Sequence, residues 1–118
     1  MKPYQPGLHL IVTLESTKED TLLQFDGCKQ QVDGLIARFA LQNLGEVYHN
    51  FSPAGFTAVV CLSESHISIH TWPEYNKVNL DIYLSNFQRT NDGTVREILA
   101  TLVEYFAATV VHEQTIQR

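Results

Sequence analysis

Alternation of apolar and polar residues is the feature that most constrains how this chain folds. Between residues 65 and 71, the apolar Ile67 and Ile69 alternate with the polar residues His66, Ser68 and His70. Successive side chains of a strand point to opposite faces of a sheet, so this period of two predicts a strand with one buried face. Further predicted strands cover residues 8–14, 46–51, 56–63 and 78–84, with 109–112 as a candidate for a last short strand.

Two segments show the apolar spacing of a helix face instead. The first predicted helix covers 26–43, with Asp26 as its N-cap and Gly45 just after its end. The second covers 94–107 and begins with a capping box at Thr94. Runs of strands between two helices predict an α+β fold, a two-layer α/β sandwich in which an antiparallel sheet carries both helices on one face. The other face of the sheet is then exposed to solvent or covered by a partner.

Length and charge exclude several classes of protein. The 118 residues predict a single domain spanning 1–118. The net charge of −5, without a basic run, argues against nucleic-acid binding. No stretch approaches the roughly 18 to 20 apolar residues of a membrane span, and the N-terminus lacks a signal peptide, so we predict a cytoplasmic protein that binds no membrane. Cys28 and Cys61 are predicted to be free thiols, with Cys61 buried as a structural residue in an apolar run.

Residues 63–75, with the sequence SESHISIHTWPEY, concentrate serine, histidine and glutamate in a predicted strand and the turn after it. The residue types alone leave three interpretations open. His49, His66 and His70 are potential metal ligands, although His66 and His70 have helical spacing on a predicted strand. A Ser-His-carboxylate hydrolase uses the same residue types, but its Gly-x-Ser-x-Gly elbow is missing. The third interpretation is the solvated polar face of an antiparallel strand.

The same segment closely resembles the processing-site motif of the small prokaryotic S-adenosylmethionine decarboxylases, in which Glu-Ser-His leads into Ile-His-Thr-Trp-Pro-Glu-Tyr. Residues 7–9, 49–53 and 80–83 resemble further segments of that family, so the resemblance covers most of the chain. It implies the family's two-layer α/β sandwich, S-adenosylmethionine as the small-molecule substrate, and a product that supplies aminopropyl groups for spermidine.

The resemblance also implies that the chain cuts itself between Glu64 and Ser65. Ser65 would then become a pyruvoyl group, a covalent cofactor that condenses with the substrate's amine and accepts electrons as carbon dioxide leaves. The resemblance implies that no metal takes part in this chemistry. His70 is implied as the acid–base residue of processing, and an imidazole pKa near 6.5 suits proton transfer in either direction. Thr57 stands where the family carries a processing serine, and it keeps the hydroxyl.

Three further residues are implied to bind the substrate: Phe51, Trp72 and Glu74. Phe51 resembles the family's aromatic residue that stacks on adenine, and Glu74 would face the ribose or the adenine. The family also implies a homodimer of processed protomers with its active sites at the interface.

One position departs from the family. Members carry a cysteine twenty residues after the processed serine as the proton donor to the product, and Ser85 occupies that position here. An alcohol is a far weaker acid than a thiol, so Ser85 alone is expected to be a poor donor. Three explanations stay open: a water held by Ser85, or His70 or Cys61, protonates the product; the pocket serves ornithine or arginine; or the chain is an unprocessed, non-catalytic paralogue.

Overall fold

The computed structural model describes residues 3–118, which form one six-stranded sheet with helices. The strands are β1 (Leu8–Ser16), β2 (Asn43–Asn50), β3 (Phe56–Leu62), β4 (Ser65–Trp72), β5 (Lys77–Leu84) and β6 (Ala108–Gln117). The helices are α1 (Asp20–Leu23), α2 (Asp26–Arg38) and α3 (Asp92–Tyr105), with a short 3₁₀ helix at Pro73–Tyr75. The strand order is β2-β3-β4-β5-β1-β6, and every neighbouring pair is antiparallel. The predicted α+β sandwich is confirmed.

The core lies between the sheet and the two long helices. Ile67 and Ile69 of β4 are fully buried, as the alternation predicts, and β1, β3 and β5 bury alternate residues in the same way. Helix α3 contributes Ile98 and Leu102 to the same core, and it packs against α2. Burial of these apolar side chains is the main stabilising contribution to a sheet that one layer of helices covers.

The opposite side of the sheet, which we call the open face, carries the other set of alternating residues on β1, β3, β4 and β5, among them His66, His70 and Cys61. Apolar residues continue onto this face at Val47 and Val59, which are register partners and are 64% and 44% exposed. Cys61 is exposed, so its predicted burial is wrong. Buried and exposed residues alternate along β3, but the sequence does not show this because apolar residues occupy both faces of the strand.

Several predicted boundaries are also wrong. Helix α2 ends at Arg38, and Ala40 adopts φ 51°, a left-handed conformation that cannot continue a helix; Gly45 lies within β2. Asp26 is the first residue inside α2 rather than its N-cap, and α3 begins two residues before Thr94, without a side-chain capping hydrogen bond.

Two further elements differ from the sequence prediction. Helix α1 forms one short turn after β1, and β6 covers ten residues instead of four. Strand β6 lies at the edge of the sheet and pairs with β1 alone, so its exposed side chains need not alternate. None of the helices in residues 3–118 has the length and apolar character required to cross a membrane.

Candidate active site

The peptide between Glu64 and Ser65 lies at the end of a tight turn that joins β3 to β4. Ser65 adopts φ 132°, a region that residues with a side chain rarely occupy and that costs backbone strain. The carbonyl oxygen of Glu64 accepts a hydrogen bond of 2.7 Å from the backbone N–H of Ser85. The peptide bond predicted to be cleaved is therefore followed by a strained residue, and its carbonyl oxygen accepts a hydrogen bond from a fixed donor.

The side chain of Glu64 is buried, and three hydrogen bonds hold its carboxylate. Arg89 donates from Nε to Oε1 at 3.0 Å and from Nη2 to Oε2 at 2.8 Å, and Asn91 donates from Nδ2 to Oε1 at 2.9 Å. The Arg89 hydrogen bonds, aided by Asn91, lower the pKa of Glu64 although its burial acts in the opposite direction. Sequence reasoning missed a role for both residues, because Arg89 belongs to no motif or apolar period and Asn91 stands in an Asn-Asp-Gly turn signal that points to no chemistry.

A second group of side chains gathers around His70. Thr57 on β3 and His70 on β4 are register partners, and Thr57 Oγ1 lies 2.5 Å from His70 Nδ1 in a shared hydrogen bond. This contact orients the imidazole, and His70 has no second side-chain hydrogen bond within residues 3–118. The two residues predicted to act together in processing therefore touch each other.

The second group lines a cavity of about 510 Å³. Its walls include all three predicted substrate-binding residues, Phe51, Trp72 and Glu74, together with Thr57 and His70. The rings of Phe51 and Trp72 are each about half exposed, so both can present a face to a bound planar group. A carboxylate beside two aromatic rings suits a ligand that carries an aromatic ring and hydroxyl or ammonium groups.

Hydrogen bonds beneath this cavity hold its wall in place. The buried Thr71 hydroxyl donates to the carbonyl of Leu22 at 2.8 Å and accepts from the N–H of Phe56 at 2.9 Å. Gly55 adopts φ 99° at the turn before β3, and a Cβ there would approach Pro73 Cδ to 3.1 Å. The turn that carries Phe51 is thus packed directly against the end of β4.

The two groups lie at opposite ends of β4. Ser65 and Ser85 do not line the cavity, and Ser65 precedes His70 by five strand residues, about 16 Å at the rise of an extended chain. Ser65 pairs with Leu84 at one end of β5, and His70 pairs with Asn79 towards the other. A single chain therefore does not bring the predicted base to the predicted cleavage site.

The histidines considered as metal ligands are not clustered. His70 contacts Thr57, and His49 packs its ring against Phe51 with ring centroids 4.9 Å apart. His66 instead contacts Asp81, with 3.1 Å between Nε2 and Oδ1. His49, His66 and His70 therefore do not form one metal site, because their side chains take part in three separate sets of contacts.

Asp81 also contacts His9, so that His9, His66 and Asp81 bring three ligand-type atoms within 4.8 Å on the open face. The guanidinium of Arg118 lies 3.4 Å from His9 Nδ1. Because a guanidinium only donates, His9 Nδ1 is the acceptor in this contact. Hydrogen bonds join the three side chains, with Asp81 Oδ1 shared between the two histidines.

Comparison with known protein families agrees with the motif at the turn. The family described as S-adenosylmethionine decarboxylase matches residues 8–118. The S-adenosylmethionine decarboxylase proenzyme of Archaeoglobus fulgidus is 42% identical over 77 residues, which are 65% of this chain and 69% of that protein. The proenzyme of the same name from Thermoplasma acidophilum is 30% identical over 112 residues, 95% of this chain and 82% of its own length.

The solved structures give the same result at the level of the fold. The crystal structure of the adenosylmethionine decarboxylase from Aquifex aeolicus matches with a TM-score of 0.84 and 25% identity. The match covers 98% of this chain and 92% of that chain. The sheet and its helices therefore form a fold that this decarboxylase also uses.

Proposed function

This chain belongs to the S-adenosylmethionine decarboxylase family, and we propose that it is a carboxy-lyase that cuts itself between Glu64 and Ser65 and then decarboxylates S-adenosylmethionine. The observation that carries the proposal is the geometry of that peptide. The positive φ at Ser65 and the N–H of Ser85 on the Glu64 carbonyl prepare this bond for nucleophilic attack.

Self-cleavage begins with the hydroxyl of Ser65. Its oxygen attacks the carbonyl carbon of Glu64, the peptide C–N bond breaks, and an ester forms between the two residues while the nitrogen takes up a proton. The N–H of Ser85 stabilises the negative charge that develops on the carbonyl oxygen, because it already lies 2.7 Å away. This donor belongs to the backbone, so replacement of the family's cysteine by Ser85 leaves it in place.

The ester then breaks by elimination. A base removes the Cα proton of residue 65, a Cα–Cβ double bond forms, and Glu64 leaves as a carboxylate at the end of the first chain. One water hydrolyses the resulting dehydroalanine, which releases ammonia and leaves a pyruvoyl group at the start of the second chain. We assign the base to His70, whose orientation the Thr57 hydroxyl fixes.

The pyruvoyl group fits this position, because Ser65 can supply all of its carbon atoms and Ser85 lies beside it. When formed, it supplies an electron sink for the loss of carbon dioxide from an amino acid. The chain's own residues orient the substrate in the cavity: Phe51 and Trp72 present rings to the adenine, and Glu74 accepts hydrogen bonds from the ribose or the adenine.

The distance between the two groups supports a homodimer. Because Ser65 and His70 lie at opposite ends of β4, we infer that a second copy brings its His70 and Thr57 to the Ser65 of the first. In a two-fold dimer formed through the open face, the start of β4 in one copy, at Ser65, would lie against the part of β4 around His70 in the other copy. The exposed apolar pair Val47 and Val59 on this face favours such contact.

The substrate alternatives differ in what the cavity must hold. Ornithine and arginine lack a ring that would stack on Phe51 and Trp72, whereas S-adenosylmethionine carries one. An unprocessed, non-catalytic paralogue would not need a strained Ser65 whose preceding carbonyl is held by a donor. The aminopropyl donor for spermidine and a cytoplasmic location remain predictions.

The experiment that tests the proposal combines a mass measurement with an assay. The intact mass of the purified protein should show two chains, 1–64 and 65–118, the second with a pyruvoyl group in place of Ser65. The processed protein should release labelled carbon dioxide from carboxyl-labelled S-adenosylmethionine and not from ornithine or arginine. Ser65→Ala is the control and should give one intact chain without activity. A stable uncut wild-type chain would refute the proposal.

A further inference from the structure

We propose that Arg89 and Asn91 are positioning residues for self-cleavage, which act through the side chain of Glu64. This inference rests on the proposed self-processing and adds the elements that hold the peptide before it breaks. Both residues lie in the loop between β5 and α3, 25 and 27 residues after Glu64 in the sequence. They contact neither the cavity around His70 nor any of the substrate-binding residues described above.

Arg89 connects the cleavage site to the end of helix α2. Its guanidinium pairs with both oxygens of the Glu64 carboxylate, the bidentate arrangement that fixes orientation as well as distance. The same Nη2 also donates to the carbonyls of Phe39 and Ala40, at 2.9 and 3.3 Å. These carbonyls follow the last turn of α2, so the guanidinium is held from two sides and cannot follow Glu64 if the turn moves.

Asn91 connects the two residues whose backbones meet at the scissile carbonyl. Its Nδ2 donates to Glu64 Oε1 at 2.9 Å and to the carbonyl of Ser85 at 2.8 Å. Asn91 is only 1% exposed, and its own backbone N–H is held by Asn86 Oδ1 at 2.7 Å. A single buried amide thus fixes the residue that carries the carbonyl and the residue that donates to it.

The hydrogen bonds from Arg89 and Asn91 to Glu64, which together form the anchor of the turn, explain how the turn keeps its unfavourable geometry. The φ of 132° at Ser65 costs energy, and a free turn would relax towards an ordinary conformation. With the Glu64 side chain held by Arg89 and Asn91, rotation of its backbone would break three hydrogen bonds to a buried carboxylate. The anchor therefore keeps the carbonyl against the Ser85 N–H, where attack by Ser65 begins.

The test uses full-length chains made in a cell-free system. The fraction of each chain that has been cleaved is then followed over time by intact mass. Arg89→Met keeps the side-chain length and removes every donor, and it should slow the first-order rate of cleavage by about 100-fold, the effect of a small misplacement of reacting groups. Arg89→Lys keeps one charged donor and should recover part of the rate. Arg96→Met is the matched control, because it removes an arginine that pairs with Glu113 at the surface; its rate should stay within about two-fold of the wild type.

A second measurement separates positioning from general structural damage. Turnover of S-adenosylmethionine, divided by the number of processed chains, should be the same in the Arg89 variants and the wild type. Equal cleavage rates in Arg89→Met and wild type would overturn the inference, and so would a loss of turnover per processed chain that parallels the loss of cleavage. If Arg89→Met does not fold, the comparison of Arg89→Lys with the wild type decides in the same way. Failure of the wild type to cleave would instead refute the proposed function.

Discussion

The backbone N–H of Ser85 donates a 2.7 Å hydrogen bond to the backbone carbonyl of Glu64, directly before the strained Ser65. The contact lies just beyond the paired ends of β4 and β5, where Ser65 opposes Leu84. It belongs to the main chain, so it does not depend on which side chain stands at position 85. This separates two proposed roles of that position: the backbone N–H would serve self-cleavage, and the side chain would be available for later chemistry.

The first prediction tests the backbone role of Ser85. Ser85→Ala keeps the N–H and should cleave at a rate close to that of the wild type. Ser85→Pro removes the N–H, and loss of one oxyanion donor is expected to slow cleavage by about 100- to 1,000-fold. Cleavage is followed by intact mass, and circular dichroism checks that the proline variant is folded. Equal rates in both variants would show that another group stabilises the carbonyl oxygen.

The second prediction concerns the origin of the base. If His70 acts across a dimer, chains with Ser65→Ala and chains with His70→Ala should complement each other when they are co-expressed. A mixed pair contains one site with an intact Ser65 from one chain and an intact His70 from the other, so chains that carry His70→Ala should be cut. Each variant expressed alone should remain whole. Absence of cleavage in verified mixed pairs would place His70 and Ser65 in the same chain.

Acid should weaken the fold through Glu64. The hydrogen bonds from Arg89 and Asn91 hold the pKa of Glu64 below its usual range. The carboxylate therefore contributes stability that is complete above the unfolded pKa of about 4.3 and is lost as the pH falls through the lower folded value. Urea titrations should show that an uncleaved Ser65→Ala chain loses stability more steeply than a Ser65→Ala, Glu64→Gln chain as the pH falls below about 5. Parallel pH curves would contradict this role of the carboxylate.

The buried thiol should be inert in the folded protein. Burial raises the pKa of Cys28 to about 12, so almost none of it is thiolate near pH 8. In a Cys61→Ser variant, Cys28 is the only thiol, and iodoacetamide should modify it only after the protein is unfolded. Mass spectrometry with and without denaturant measures this. Rapid labelling under native conditions would mean that the core around α2 opens readily.

The exposure of Cys61 shows where the alternation of apolar and polar residues no longer predicts burial. Alternation in β4 correctly predicts the burial of Ile67 and Ile69, because its polar positions are occupied by polar residues. In β3, apolar residues occupy both faces, so the pattern does not reveal that Cys61 is exposed. The length of β6 was missed for a related reason, since an edge strand with exposed side chains carries no apolar period.

The candidate site was predictable to the extent that it lies in one continuous motif. Residues 63–75 indicate the cleavage site and much of the cavity wall, and the structure places Trp72 and Glu74 in that wall beside His70. The separation of Ser65 from His70 follows from simple strand geometry, but only once both are known to lie on the same strand. Arg89 and Asn91 were not predictable, because the folded loop between β5 and α3 brings them to Glu64.

The last prediction concerns the side chain at position 85. Once the chain has cleaved, the product needs a proton, and a thiol with a pKa near 8.5 is a better acid near neutral pH than an alcohol. Ser85→Cys keeps the backbone donor, so cleavage should proceed unchanged, while turnover of S-adenosylmethionine should rise by about ten-fold or more if protonation limits the rate. A solvent deuterium isotope effect on turnover should fall in the same variant, because the proton transfer would then no longer be slow. Unchanged turnover and isotope effect would mean that another group, such as His70 or a bound water, already protonates the product, and that Ser85 acts in this protein through its backbone alone.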